Sequence, residues 1–174
     1  MRLSTRARYA LRLMLDISRN AKDDKPVQLR EIAQRNKLSK GYLEQLVVSL
    51  KNAQLIRSFS GRSGGYRLFK SPEQISLLEI FEATIGPMNV VECVAHPEEC
   101  MRSEYCECRI LWELLNRKIV ELLADYSLKD LSNEGGIQRM LEELRGCQDK
   151  GDSPSLQRDA ADVLAHFTDE EGCV

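Results

Sequence analysis

Residues 27–70, VQLREIAQRNKLSKGYLEQLVVSLKNAQLIRSFSGRSGGYRLFK, constrain the fold more than any other stretch of the chain. Val27 and Leu29 lead into a short helical pattern carrying Ile32 and Ala33. Asn36 and Lys37 then make a turn, and Leu38 is expected to pack inward. Ser39 suits an N-cap, because its hydroxyl can accept from an amide that the first helical turn leaves unpaired. Tyr42, Leu43, Leu46, Val47 and Leu50 follow at helical spacing and mark the buried side of a second helix. Two short helices joined by a tight turn form a helix-turn-helix pattern. Residues 56–59 read as a strand, GRSGG as a turn and residues 66–69 as the return strand. A hairpin in that place is the wing of a winged helix. Upstream, Leu3, Ala7, Ala10, Leu11, Met14 and Ile17 predict an amphipathic first helix with Arg6, Arg8, Arg12 and Arg19 interleaved, and NAKDDKP breaks it. The expected fold class is mainly α with a small β wing.

Helix-turn-helix patterns often serve plain packing, but a basic, glycine-tipped hairpin beside one points to double-stranded DNA. The second helix can enter the major groove with its N-terminal side chains toward base edges. Ser39, Lys40, Tyr42, Glu44 and Gln45 stand there, and Lys51, Arg57, Gly61, Arg62 and Ser63 extend the candidate surface toward the wing. Gln can read adenine, Glu can accept from cytosine, and Lys or Ser can hold phosphates. At the wing, Arg62 could enter the minor groove or grip the backbone, where glycines allow close approach.

The charge distribution agrees. The net charge is −2, yet residues 1–75 hold sixteen Lys/Arg against six Asp/Glu, while residues 76–174 hold nine against twenty-one. A basic first half suits a polyanionic partner. The N-terminus lacks the uninterrupted apolar core and small-residue cleavage site of a secretory signal, and the apolar runs fall short of a membrane span, so a cytoplasmic protein without membrane association is expected.

That compartment bears on CVAHPEECMRSEYCEC at residues 93–108, which holds four of the six cysteines. Thiols stay reduced in a cytosol, so metal binding or redox sensitivity is favoured over disulfides. The gaps between Cys93, Cys100, Cys106 and Cys108 are six, five and one residues. They match neither paired C-x2-C zinc units nor the compact ferredoxin run. Spacing alone indicates a soft-metal site of open identity.

MRLSTRARYALRLMLDIS, GYLEQLVVSLKNAQLI and GRSGGYRL together resemble the Rrf-two family of bacterial winged-helix regulators, over roughly residues 1–132. The resemblance implies a homodimer with a winged-helix domain, a cysteine loop and a long helix pairing two subunits on a pseudo-palindromic operator. It further implies an iron–sulfur cluster, 2Fe–2S ahead of 4Fe–4S, with Cys93, Cys100 and Cys106 matching the three loop ligands. The family's sensors take their fourth ligand from a histidine three residues after the last loop cysteine, or from an aspartate in the first helix. Here those positions hold Arg109 and Arg8, and arginine has no lone pair to offer. Cys108 is the nearest replacement, with His96, Glu104 and Glu107 as others. A cluster-free regulator controlled by thiol oxidation or a partner protein, as in the family's cysteine-metabolism members, stands as the alternative, together with a zinc-stabilised DNA-binding protein.

The segment CRILWELLNRKIVELLADYSLKDL reads independently as a long helix free of Gly and Pro. Leu111, Leu115, Ile119 and Leu122 form one stripe, widened by Trp112, Val120 and Leu123, and so broad a stripe needs a partner surface. The expected organisation is a winged helix at 1–75, a cysteine loop and dimerisation helix at 76–132, and an acidic C-terminal helix and tail at 133–174. Cys147 and Cys173 lie outside the expected ligand set. No Gly-rich nucleotide loop, nucleophile elbow or acid–base pair is present, which argues against an enzyme.

Overall fold

In a computed structural model, residues 3–21, 25–61, 64–102 and 105–148 are described. Helix α1 spans Thr5–Asn20, α2 Leu29–Asn36 and α3 Lys40–Asn52. Strands β1, Ile56–Phe59, and β2, Gly65–Leu68, form the wing. They are followed by α4 at Leu77–Ile85, the short α5 at Glu92–Ala95, α6 at Glu107–Asp125, α7 at Leu128–Ser132 and α8 at Glu134–Gln148. The chain is mainly helical with one small antiparallel sheet, as the sequence patterns predict. Two compact units divide it, residues 1–128 and 129–174.

The core of the first unit gathers Ala7, Ala10, Leu13, Met14 and Ile17 of α1 against Ile32, Leu43, Leu46, Leu50, Leu55 and Ile80. Leu13, absent from the sequence reading, replaces Leu3 and Leu11: Leu3 precedes the helix and is exposed, while Leu11 is half-buried. Asp16 is buried as well, at 8% exposure, and is fully engaged. The Arg35 guanidinium donates to both its oxygens, at 2.6 Å from Nη2 and 3.0 Å from Nε, and Asn36 Nδ2 donates at 2.8 Å. A buried carboxylate is tolerable only with such partners, and this one ties α1 to the end of α2.

The turn between α2 and α3 passes through Lys37 in the left-handed region, φ 53°, and Ser39 accepts from the Tyr42 amide at 3.2 Å, as a Ser N-cap should. In the wing, Arg57 stands opposite Arg67 and Phe59 opposite Gly65, so the return strand begins one residue earlier than expected. Tyr66 also exchanges two 2.9 Å backbone bonds with Val27, which joins the chain before α2 to the sheet. A Cβ at Gly65 would collide with the Val27 carbonyl, so only glycine admits this third contact.

Helix α4 packs on α1, α3 and α6. Its start is fixed by a capping box, with Ser76 and Glu79 each bonding the other's backbone amide. The end of α6 is pinned beside it: Leu77 N donates to Tyr126 O at 2.9 Å and Leu128 N to Ile75 O at 2.8 Å. Among the described residues no helix is long and apolar enough to cross a membrane.

Candidate nucleic-acid interface and cysteine loop

An α-helix turns about 100° per residue, which divides α3 into distinct faces. Leu43, Leu46, Val47 and Leu50 face the core. Gly41, Gln45, Val48 and Asn52 lie on the opposite, exposed face. Lys40, Glu44 and Lys51 form one flank of it, where Lys40 Nζ lies 3.5 Å from the Glu44 carboxylate. That pairing supplies the donor that a carboxylate at a DNA surface needs. Tyr42 and Ser49 form the other flank. The Tyr42 ring meets Tyr9 of α1 edge to face, centroids 5.8 Å apart, so it is half-buried rather than free to project. Val48 and Asn52 are absent from the sequence reading, which weighted the first turns of the helix. Their signal was the helical phase set by Leu43, Leu46, Val47 and Leu50.

On the Lys40 flank a groove of about 410 Å³ is lined by Gln28, Arg30, Lys40, Ser58, Gly61 and Tyr66, among others. It brings the start of α2, the start of α3 and the wing tip together. On the wing, the Arg57 and Arg67 guanidinium carbons both lie near the Phe59 ring, 5.4 and 5.3 Å from its centroid, a cation–π arrangement that groups the two cations on one face of the hairpin. Arg67 could have been found from the pairing register, which sets it across from Arg57. Arg62 and Ser63 lie outside the described residues.

The cysteines stand on two short elements after α4 and on the start of α6. Cys93 is in α5, Cys100 caps the single 3-10 turn at Pro97–Glu99, Cys106 is the N-cap residue of α6, and Cys108 follows in its first turn. All four are unbridged; Cys93, Cys100 and Cys106 are half-buried and Cys108 is exposed. The donor chemistry fits an iron–sulfur cluster, since these are thiols accessible from solvent and thiolates are the usual cluster ligands. Among the described residues, however, no three His, Cys, Asp or Glu side chains converge on one point, so a cluster held by three of these sulfurs would need the loop in another conformation. Arg109 Nε donates to Glu113 at 2.8 Å, and Arg8 donates to the Thr5 hydroxyl at 3.1 Å. The two positions at which the family resemblance implies a fourth ligand are thus basic and engaged elsewhere. His96 Nδ1 lies 3.3 Å from the Glu98 carboxylate, and Glu107 is exposed on the first turn of α6. Glu104 is outside the described residues.

Helix α6 has nineteen residues and none of them is buried. Leu111, Leu115 and Leu122 are 58%, 39% and 53% exposed, and Ile110 and Leu114 are exposed beside them. Ile119 is half-buried and, with Leu122, lines an apolar hollow of about 370 Å³ shared with Leu3, Phe81, Ile85 and Met88. Near the cysteine loop, Asn116 accepts from the Val90 amide at 3.0 Å.

A winged helix with Lys40, Lys51, Arg57 and Arg67 along the flank of α3 and the wing, followed by a long helix with no buried residue, is the architecture of a DNA-binding regulator of transcription. Residues 3–134 match the Rrf2 family, iron-dependent transcriptional regulators. The chain belongs to this family. It is 35% identical over 133 residues to the HTH-type transcriptional regulator CymR of Bacillus subtilis, covering 76% of this chain and 91% of that one. It is 33% identical over 141 residues to the regulator IscR of Aliivibrio salmonicida, covering 80% and 82%. The crystal structure of CymR, the global cysteine regulator of B. subtilis, superposes with a TM-score of 0.64, covering 76% of this chain and 96% of CymR.

Proposed function

We propose that the protein is a homodimeric transcription regulator whose operator affinity is set by the state of its cysteine loop, through an iron–sulfur cluster held by Cys93, Cys100 and Cys106. The observation that carries this reading is the placement of that loop. It joins α4, which packs on the reading head, to α6, a helix with no buried residue in its own chain. A second copy laid along Leu111 and Leu115 removes that apolar stripe from water, and a two-fold dimer presents two α3 helices to a pseudo-palindromic site. Cys108 is the nearest fourth donor.

Held by the Cys93, Cys100 and Cys106 thiolates, such a cluster would supply a redox- and iron-dependent cross-link across the loop. The chain's own residues translate the change. The far end of α6 is fixed to the start of α4 by the backbone bonds of Tyr126 and Leu128, and its near end begins at Cys106. Closing or releasing residues 93–106 moves the near end about that fixed end. The spacing of the two reading heads, and with it operator affinity, then changes. Allostery requires this difference in contacts between states.

The likeness to CymR and the engaged Arg109 and Arg8 favour a second reading, in which the loop senses thiol oxidation or a partner protein without a cluster. Anaerobic purification followed by absorption spectroscopy, iron and sulfide assay and DNA binding separates the two. A brown protein that loses colour in the C93A/C100A/C106A variant and binds DNA differently from its apo form supports the cluster reading. A brown protein with equal affinity in both forms defeats it; a colourless one free of zinc leaves the thiol reading in its place, and a colourless one that holds zinc leaves the zinc-stabilised regulator.

A further inference from the structure

Helix α1 carries Arg6, Tyr9 and Arg12 at successive i,i+3 positions beside the recognition helix. Tyr9 is the ring that meets Tyr42, and the Arg12 guanidinium carbon lies 5.6 Å from the Tyr9 centroid. One turn earlier, Arg6 Nη2 donates to Ser49 Oγ at 2.8 Å. The stripe therefore borders α3 from its third residue to its tenth, roughly 10 Å at 1.5 Å per residue. It lies on the Tyr42 flank, about 200° around α3 from the Lys40 flank where the wing stands.

Both arginines are exposed, and among the described residues no carboxylate pairs with either. By contrast Arg35, Arg109 and Arg139 each hold one, Asp16, Glu113 and Asp130 in turn. A guanidinium held against an aromatic ring is oriented without losing its donors, and its five N–H groups then face an acceptor from outside.

We infer that the Arg6–Tyr9–Arg12 stripe is a phosphate clamp. With α3 in the major groove, these arginines grip the backbone on the Tyr42 side while Lys40 and the wing hold the other side. Each DNA strand offers a phosphate about every 3.4 Å of axis, so a stripe of this length spans more than one. The inference rests on α3 as the reading helix and extends the interface to α1, beyond the helix-turn-helix and wing.

A purely structural role, α1 packed on α3, also accounts for the contacts, and salt dependence distinguishes the two. Each phosphate contact contributes about 0.9 to the slope of log affinity against log salt, whereas a packing change contributes nothing to it. The probe is a duplex selected from a randomised library by the wild-type protein. Arg12→Ala should weaken binding about tenfold and flatten the slope by about 1 per chain engaged. Arg12→Lys should keep the slope, and Ser49→Ala, which removes the internal bond but no charge, should leave it unchanged. Weaker binding by Arg12→Ala at an unaltered slope, or unaltered binding, overturns the clamp. A wild type that selects no duplex overturns the DNA-reading role of α3 itself, and the clamp with it.

Discussion

The reading head and the long helix α6 are built from similarly apolar sequence and end in opposite states. In α3, of thirteen residues, Leu43, Leu46, Val47 and Leu50 are all buried, and both ends of the preceding turn are fixed by hydrogen bonds. In α6, of nineteen residues, nothing is buried, and the described residues before it include a four-residue helix and a 3-10 turn at Pro97–Glu99. The first region is complete within one chain. The second has an apolar stripe that the described residues leave exposed. On the proposed function, stability and signal fall to different parts of the molecule, since a segment with few buried contacts is the one that can rearrange at low cost.

Truncation tests this contrast most strongly. Leu43→Ala removes a fully buried side chain beside Leu46 and Leu50 and should cost about 2–5 kcal/mol in thermal or urea unfolding. Leu111→Ala, at 58% exposure in a single chain, should leave unfolding of the reading head within about 0.5 kcal/mol when both proteins are diluted to monomers, where no second copy covers the stripe. Equal losses at the two sites would show that α6 is core after all.

The same difference explains what could be read from sequence. The winged helix was legible because each of its elements carries a local signature: the Ser39 cap, the helical phase of Leu43 to Leu50, the glycines at the wing. Leu13 and Asp16 were missed for a physical reason. The first apolar stripe drifts around α1, so either Leu11 or Leu13 satisfies its periodicity, and Asp16 reads as a surface charge until Arg35 and Asn36, nineteen and twenty residues away, are brought to it. The Tyr9–Tyr42 contact and the stripe beside it are tertiary as well. At the cysteine loop, the sequence supplies the donors but not their convergence, because no periodic element there dictates where the sulfurs point.

A charge placed in the α6 stripe sharpens the comparison from the other side. L111D together with L115D should shift the dimer to monomer, weakening association by at least about a hundredfold, since two carboxylates would have to be buried opposite apolar groups. Sedimentation of wild type and variant measures it. The monomeric variant should keep its helical circular dichroism and melt with the reading head intact, yet bind the selected duplex far more weakly. A variant that remains dimeric places the subunit contact elsewhere than Leu111 and Leu115.

The smallest effect is expected at the joint between the two regions, where Glu79 closes the α4 capping box next to the Ser76–Ser127 bridge. Burial alone would raise its carboxyl pKa. The Lys70 ammonium at 2.9 Å and the Ser76 amide outweigh burial and hold it below the ordinary glutamate value. A carboxyl whose folded pKa is depressed stabilises the fold above its unfolded pKa, and that contribution fades as pH falls through the folded value. Glu79→Gln can still close the capping box, so it removes the charge and little else. Because both side chains of the Lys70 pair are more than a third exposed, solvent screening limits the loss at neutral pH to under about 1 kcal/mol. Melting curves for wild type and variant should differ by a few degrees at about pH 7 and converge toward about pH 3. A gap that persists unchanged at the acid end would mean that Glu79 acts there through packing, and that the joint between reading head and α6 is not held by its charge.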